Sequence, residues 1–287
     1  MRRRPGVTGQ REGDQRTAAQ RAGAVRRRLL RLAIGLPLLA AGAAFSAAAR
    51  AADGRLEDLI VAAKPSVVAI GVFNPTGNPR FAFRGSGFAV GSGNLVVTNL
   101  HVLPEVIPPG GSAGSLVVVV PRGGNVDRSG GRTATVLATD REHDLALLSF
   151  DGPPLPPLEL AEAPAREGAS IAIIGFPIGG ALGFSPVTHR GIVSSITGIV
   201  LPAPTSQSLS SQAINRVRQG SFDIYQLDAT AYPGNSGGPV LEVASGKVIA
   251  VINMVLVKGS RENALSHPSG ISYAIPVRFV SELLKER

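Results

Sequence analysis

The stretch Thr133-Ala134-Thr135-Val136-Leu137-Ala138-Thr139-Asp140-Arg141-Glu142-His143-Asp144-Leu145-Ala146-Leu147-Leu148-Ser149-Phe150 holds two short apolar runs on either side of a polar cluster. Neither Thr133–Leu137 nor Leu145–Phe150 is long enough for a helical period, and both suit half-buried or fully buried strands. The same texture continues in both directions. Val67–Val72, Leu95–Thr98 and Leu116–Val120 precede it, and Ser170–Ile174, Gly191–Ile196, Ile224–Leu227, Pro239–Val243 and Lys247–Val257 follow. Clusters of Gly, Pro, Asn and Asp separate the runs, with no long helical pattern between them. That excludes alternating βα units and predicts an all-β sandwich or barrel.

Prolines 153, 154, 156, 157 and 164 mark a linker over residues 151–168 and divide the strands into two β units, residues 65–150 and 169–276. Leu56, Leu59, Ile60 and Ala63 recur at helical spacing, which predicts a short helix within residues 52–64. Val280, Leu283 and Leu284 predict a terminal helix over residues 277–287, opened by Pro276. Thr197–Gly220 is polar and turn-rich and is expected to be a long loop.

The 287-residue chain is 44% hydrophobic, enough for a packed core, and its net charge of +9 is unevenly distributed. Eleven Arg stand before residue 52 against only Glu12 and Asp14, so the leader carries the whole excess and the remainder is neutral. A neutral body gives no electrostatic reason to bind nucleic acid. Residues 1–51 read as an export signal. The basic run Arg26-Arg27-Arg28-Leu29-Leu30-Arg31 resembles a twin-arginine signal, an apolar stretch follows, and Ala49 and Ala51 fit a small-residue cleavage site. The expectation is a periplasmic or extracellular protein without stable membrane contact. An uncleaved leader would instead anchor it, because Leu29 to Ala49 can span a bilayer. There is no Cys, which removes disulfides, thiolate nucleophiles and thiolate zinc sites. No metal or cofactor is expected.

Three short segments carry chemistry. In Gly234-Asn235-Ser236-Gly237-Gly238-Pro239, glycines around a serine permit the sharp bend that aims backbone N–H groups at one point. Val97-Thr98-Asn99-Leu100-His101-Val102 is a strand ending in a histidine, and His143-Asp144-Leu145 sets an acid at the mouth of a strand. A carboxylate buried there needs a partner, and the imidazole of His101 would serve. Their order, His then Asp then Ser, excludes an α/β-hydrolase, whose acid and histidine follow the serine.

With these segments in place, the chain resembles the protease domain of the HtrA/Deg-type serine peptidases, within the trypsin-like superfamily. Gly85-Ser86-Gly87-Phe88, Thr98-Asn99-Leu100-His101-Val102, Asp144-Leu145-Ala146-Leu147-Leu148 and Gly175-Phe176-Pro177-Ile178-Gly179 are similar to successive blocks of that family. Gly191-Ile192-Val193-Ser194, Gln226-Leu227-Asp228-Ala229, Gly234 to Pro239 and Gly270 to Pro276 continue the series. The resemblance implies two antiparallel six-stranded β-barrels with the active site in the cleft between them. It implies a serine endopeptidase acting on unfolded or extended polypeptides, in periplasmic protein degradation or quality control, with oligomers among its forms. Ser236 is then the nucleophile, His101 the base and Asp144 its orienter, with the N–H groups of Gly234 and Ser236 as oxyanion hole. Thr230, Ala231, Met254, Val255 and Leu256 would line the specificity pocket. Asn235 stands where digestive relatives carry an Asp that pairs with a freed N-terminus, so activation by such cleavage is not expected. HtrA proteins usually carry a PDZ module, and this chain is expected to lack one. A catalytically weak peptide-binding module on the same fold is the alternative. Of the neighbouring residues, Asp140 is expected to be a solvated turn residue, His143 a surface residue and Asp228 a structural hydrogen-bonding acid.

Overall fold

The computed structural model describes residues 55–105, 114–120, 131–177, 179, 185–199, 222–253 and 270–286. Residues 55–63 form helix α1, continued by a 3-10 turn at Lys64–Ser66. Six strands follow: β1 (Val67–Phe73), β2 (Phe81–Val90), β3 (Leu95–Asn99), β4 (Ser115–Val119), β5 (Arg132–Asp140) and β6 (Leu145–Phe150). They close into an antiparallel barrel in the order β1-β2-β3-β6-β5-β4. A second barrel, β10-β11-β12-β9-β8-β7, is built from β7 (Ser170–Gly175), β8 (Val187–Ile199), β9 (Phe222–Asp228), β10 (Pro239–Glu242), β11 (Val248–Asn253) and β12 (Ile271–Pro276). Helix α2 (Val277–Lys285) follows directly. The expectation of two six-stranded barrels holds. β8 also takes in Thr197 to Ile199, the start of the expected loop, and the rest of that loop lies outside the described residues.

Several strands are apolar without alternation because both of their faces are covered. β3 and β11 are buried at every position. On β1, Val68 and Ile70 pack with Val96, Val118 and Leu148 of their own barrel. Val67 and Ala69 point the other way and join a cluster that also holds Ile174, Val251, Ile275 and, from α2, Val280 and Leu283. That shared layer binds the barrels and α2 into one core, since each fully buried aliphatic side chain contributes about 1.5–3 kcal/mol. The linker is fastened to both barrels. Leu155 and Leu158 donate backbone hydrogen bonds to Gly93 and Ala89 at 2.9 Å each, and Ala161 donates to Val248 at 2.9 Å.

β2 is absent from the strands read by pattern, and its glycines explain why. A Cβ on Gly85 would stand 2.6 Å from Val102 Cγ2 and 3.0 Å from the Ser236 carbonyl oxygen. The glycine that weakens the strand signal lets the first barrel approach the serine loop. No helix among the described residues is long and apolar enough to cross a membrane. The leader lies outside them.

Candidate active site

β3 pairs with β6 in antiparallel register, Asn99 opposite Leu145, so the residues just beyond that pair, His101 and Asp144, are brought to one end of the barrel. His101 sits on the 3-10 turn Leu100–Val102, and its Nδ1 lies 2.5 Å from Asp144 Oδ2. The His101 backbone N–H donates to Asp144 Oδ1 at 2.9 Å, and Asn253 Nδ2 donates to Asp144 Oδ2 at 2.8 Å. The Asp144 carbonyl accepts from Leu100 N–H and Asn99 Nδ2, each at 3.0 Å. The carboxylate therefore meets two fixed donors, and a donor is what it also requires of Nδ1. That holds the proton on Nδ1 and leaves Nε2 as the acceptor. Asp144 adopts φ 54°, the left-handed region that a non-glycine residue occupies at a cost of about 1–2 kcal/mol.

The serine loop is pinned from two sides. Ser86 N–H donates to the Ser236 carbonyl at 2.8 Å and Ser86 Oγ donates to the Gly234 carbonyl at 2.6 Å. Phe176 N–H donates to Ser86 Oγ at 3.0 Å. From β11, the Ile252 carbonyl accepts Gly237 N–H and Ile252 N–H donates to the Gly238 carbonyl, both at 3.0 Å. The next residue along β11 is Asn253, so one strand end anchors the serine loop and reaches Asp144. Gly237 has φ 85°, and a Cβ there would collide with the Ser86 carbonyl and the Thr98 hydroxyl. Gly234 has φ 106°. Ser236 is buried, with 6% of its surface exposed. The Asn235 amide is fully buried and has no hydrogen-bond partner among the described residues.

Of the expected pocket residues, Thr230 is half-buried and Ala231 buried, while Met254, Val255 and Leu256 lie outside the described residues. Two functional residues escaped sequence reasoning. Asn253 interrupts the otherwise apolar run Val248–Val257, and a lone polar residue inside such a run is the signal that could have found it. Ser86, set between two glycines, is the other.

Three expectations are corrected. Asp140 is not a solvated turn residue. Its Oδ1 caps the Glu142 and His143 backbone N–H groups at 2.9 and 3.0 Å, and its Oδ2 lies 2.6 Å from His143 Nδ1. Burial pushes the Asp140 carboxyl up, but the hydrogen bonds from His143, its charge and the Glu142 amide outweigh that and hold it below the ordinary value. His143 is not a surface residue either, because its ring stacks on Phe279 of α2. Asp228, expected to be a hydrogen-bonding structural acid, is exposed at the end of β9.

His189 on β8 lies beside the Tyr232 ring, 5.7 Å between centroids, with Nε2 buried and without a hydrogen bond among the described residues. Burial holds its pKa below the ordinary value. The folded state thus keeps His189 neutral while the unfolded chain binds the proton more readily. The stability is complete above the unfolded value of about 6.5 and is lost as pH falls below it, toward the folded value. Urea unfolding of wild type should therefore weaken from about pH 7.5 to about pH 5.5 by more than that of His189→Gln. Parallel losses in the two proteins would show that His189 is not the group responsible.

A family model for the trypsin-like peptidase domain matches residues 85–251, more than half of the chain, a span that includes His101, Asp144 and Ser236. The chain belongs to the trypsin-like peptidase family. Similar members include serine protease Rv3671c of Mycobacterium tuberculosis, 30% identical over 194 residues, covering 68% of this chain and 41% of that protein. Another is "Probable periplasmic serine endoprotease DegP-like" of Pseudomonas fluorescens, 29% identical over 194 residues, covering 67% of this chain and 32% of that protein. Mitochondrial serine protease HTRA2 of Drosophila virilis is 28% identical over 252 residues, covering 83% and 50%. The chain thus spans half or less of the length of these relatives. Among solved structures, the active form of the Rv3671c protease of M. tuberculosis superposes with a TM-score of 0.55 at 24% identity, covering 79% of this chain and 82% of that one. At that identity the likeness speaks for the trypsin-like fold alone.

Proposed function

We propose that this member of the trypsin-like family is a serine endopeptidase in which Ser236, His101 and Asp144 act as one catalytic unit. The observation that carries the reading is the fixed His101–Asp144 pair, with its 2.5 Å contact and its carboxylate held by Asn253 and the His101 N–H. In the reaction, Ser236 Oγ attacks the scissile carbonyl while His101 Nε2 takes its proton. His101 then gives that proton to the leaving amine, which departs as the C–N bond breaks. Water, activated by the same imidazole, releases the acyl group and restores the serine. The N–H groups of Gly234 and Ser236 stabilise the oxyanion, supported by the hold that Ser86 keeps on the carbonyls of those two residues. No metal or cofactor is needed for these steps. Substrates are unfolded or extended polypeptides, and the Arg-rich leader supports export to the periplasm or beyond. A digest of a peptide library by the leaderless protein, with Ser236→Ala in parallel, tests the assignment. Cleavage confined to the wild type supports it. Cleavage by neither protein, with peptide still bound, would favour the non-catalytic module.

The same digest reads specificity. Thr230 and Ala231 precede the serine loop and carry no charge, so a Lys or Arg side chain finds no counter-ion there. Small and medium apolar residues should dominate before the cut, with a broad profile, since apolar pockets discriminate only about 10–200-fold per methylene. A profile dominated by Lys and Arg would contradict this.

A further inference from the structure

Beside the candidate triad stands a second histidine–aspartate pair that the chemistry above does not use. Asp140 and His143 flank the turn that presents Asp144, with their side chains only 22% and 13% exposed. Asp140 Oδ1 caps the turn through two backbone N–H groups, and Oδ2 bonds His143 Nδ1 at 2.6 Å. The imidazole then leaves the first barrel altogether. It lies flat on Phe279 of α2, with centroids 3.6 Å apart and planes at 17°, and meets Phe222 of β9 edge-on at 4.6 Å. Phe222 and Phe279 also meet edge to face at 5.5 Å. Arg278 lies over the Phe279 ring at 4.6 Å and faces Asp223 at 3.9 Å. The residue directly after His143 is Asp144, in the left-handed conformation at φ 54°.

We propose that Asp140, His143 and Phe279 are positioning residues for Asp144, so that the docked C-terminal helix sets the alignment of the triad. The physical reason is the geometry of the turn. On its inner side Asp144 is held by Leu100, Asn99 and Asn253. A residue at positive φ is disfavoured locally and keeps that conformation only where its surroundings over-determine it. The Asp140 cap and the stacked imidazole supply the outer constraint. They fix the turn to a different barrel and to α2, and loosening them lets the carboxylate drift from His101. Small displacements of a catalytic group cost rate more than binding.

The inference rests on Asp144 being the triad acid, and the test separates the two. His143→Phe keeps a flat ring but loses the bond to Asp140. His143→Asn keeps a donor near the Nδ1 position but loses the stack. Phe279→Leu keeps apolar bulk on the other element, and Asp144→Asn serves as control. With fluorescein-labelled unfolded casein as substrate, kcat per folded molecule should fall about 10–100-fold in the first three variants while KM stays within about twofold. The folded fraction is measured by circular dichroism. The downfield proton resonance of the His101–Asp144 hydrogen bond should shift or broaden in all three. A kcat per folded molecule equal to wild type with that resonance unmoved, whatever happens to the melting temperature, would reduce the cluster to packing and overturn the proposal. If Asp144→Asn itself leaves kcat unchanged, the triad assignment is what fails.

Discussion

Ser236→Ala and His101→Ala should each lower kcat by about 10⁶-fold, and the double variant should be scarcely slower than either alone. The reason is that the two side chains perform one act. An Oγ without a base near neutral pH is a poor nucleophile, and a base without Oγ has no proton to take. What survives is the acceleration given by substrate binding and the oxyanion donors, about 10³–10⁴ over water. Those donors belong to the backbone of the Gly234–Gly238 loop, whose anchoring by Ser86 and Ile252 is untouched by either truncation. Steady-state turnover of one unfolded substrate by all four proteins makes the comparison. Additive losses would mean that Ser236 and His101 act separately.

Asp144→Asn should cost about 10⁴-fold in kcat with little change in fold, and the hydrogen bonds around the carboxylate explain its size. Oδ1 faces the His101 backbone N–H, and Oδ2 faces Asn253 Nδ2 and His101 Nδ1. An amide NH₂ at the Oδ1 position meets the His101 N–H, donor against donor. At the Oδ2 position it meets the Asn253 donor and forces Nδ1 to accept, which moves the imidazole proton to Nε2. A protonated Nε2 cannot take the serine proton. Where hydroxide takes the serine proton directly the imidazole tautomer no longer matters, so turnover should partly return at high pH in Asp144→Asn and in His101→Ala alike. Turnover measured from pH 6 to about 10 on both variants makes the check. A loss of less than tenfold in Asp144→Asn would remove Asp144 from the site.

The candidate site was more legible in the sequence than the residues packed around it. His101, Asp144 and Ser236 each stand in a local pattern, namely a strand end, a strand mouth and a glycine-framed bend, and the order of the three is diagnostic. The continuous apolar runs of β3 and β11 likewise declared strands covered on both faces. β2 was hidden because its glycines are there for what approaches them, and a window along the chain cannot see Val102 or the Ser236 carbonyl. Asp140 and His143 were misread for a related reason. A polar i,i+3 pair in a turn is ordinarily solvated, and only the fold brings Phe222 and Phe279, both far along the chain, to cover it. Asn253 lay inside the run Val248–Val257, whose other residues spoke only of burial.

The most direct measurement is labelling with a fluorophosphonate, which phosphonylates a serine Oγ with loss of fluoride only where a base removes the serine proton. Intact-mass analysis of the leaderless protein should show a single adduct, mapped by peptide mass to Ser236, and none in Ser236→Ala. The adduct should form far more slowly in His101→Ala. No adduct on the folded wild type, or an adduct on another residue, would contradict the assignment of Ser236 as an activated nucleophile.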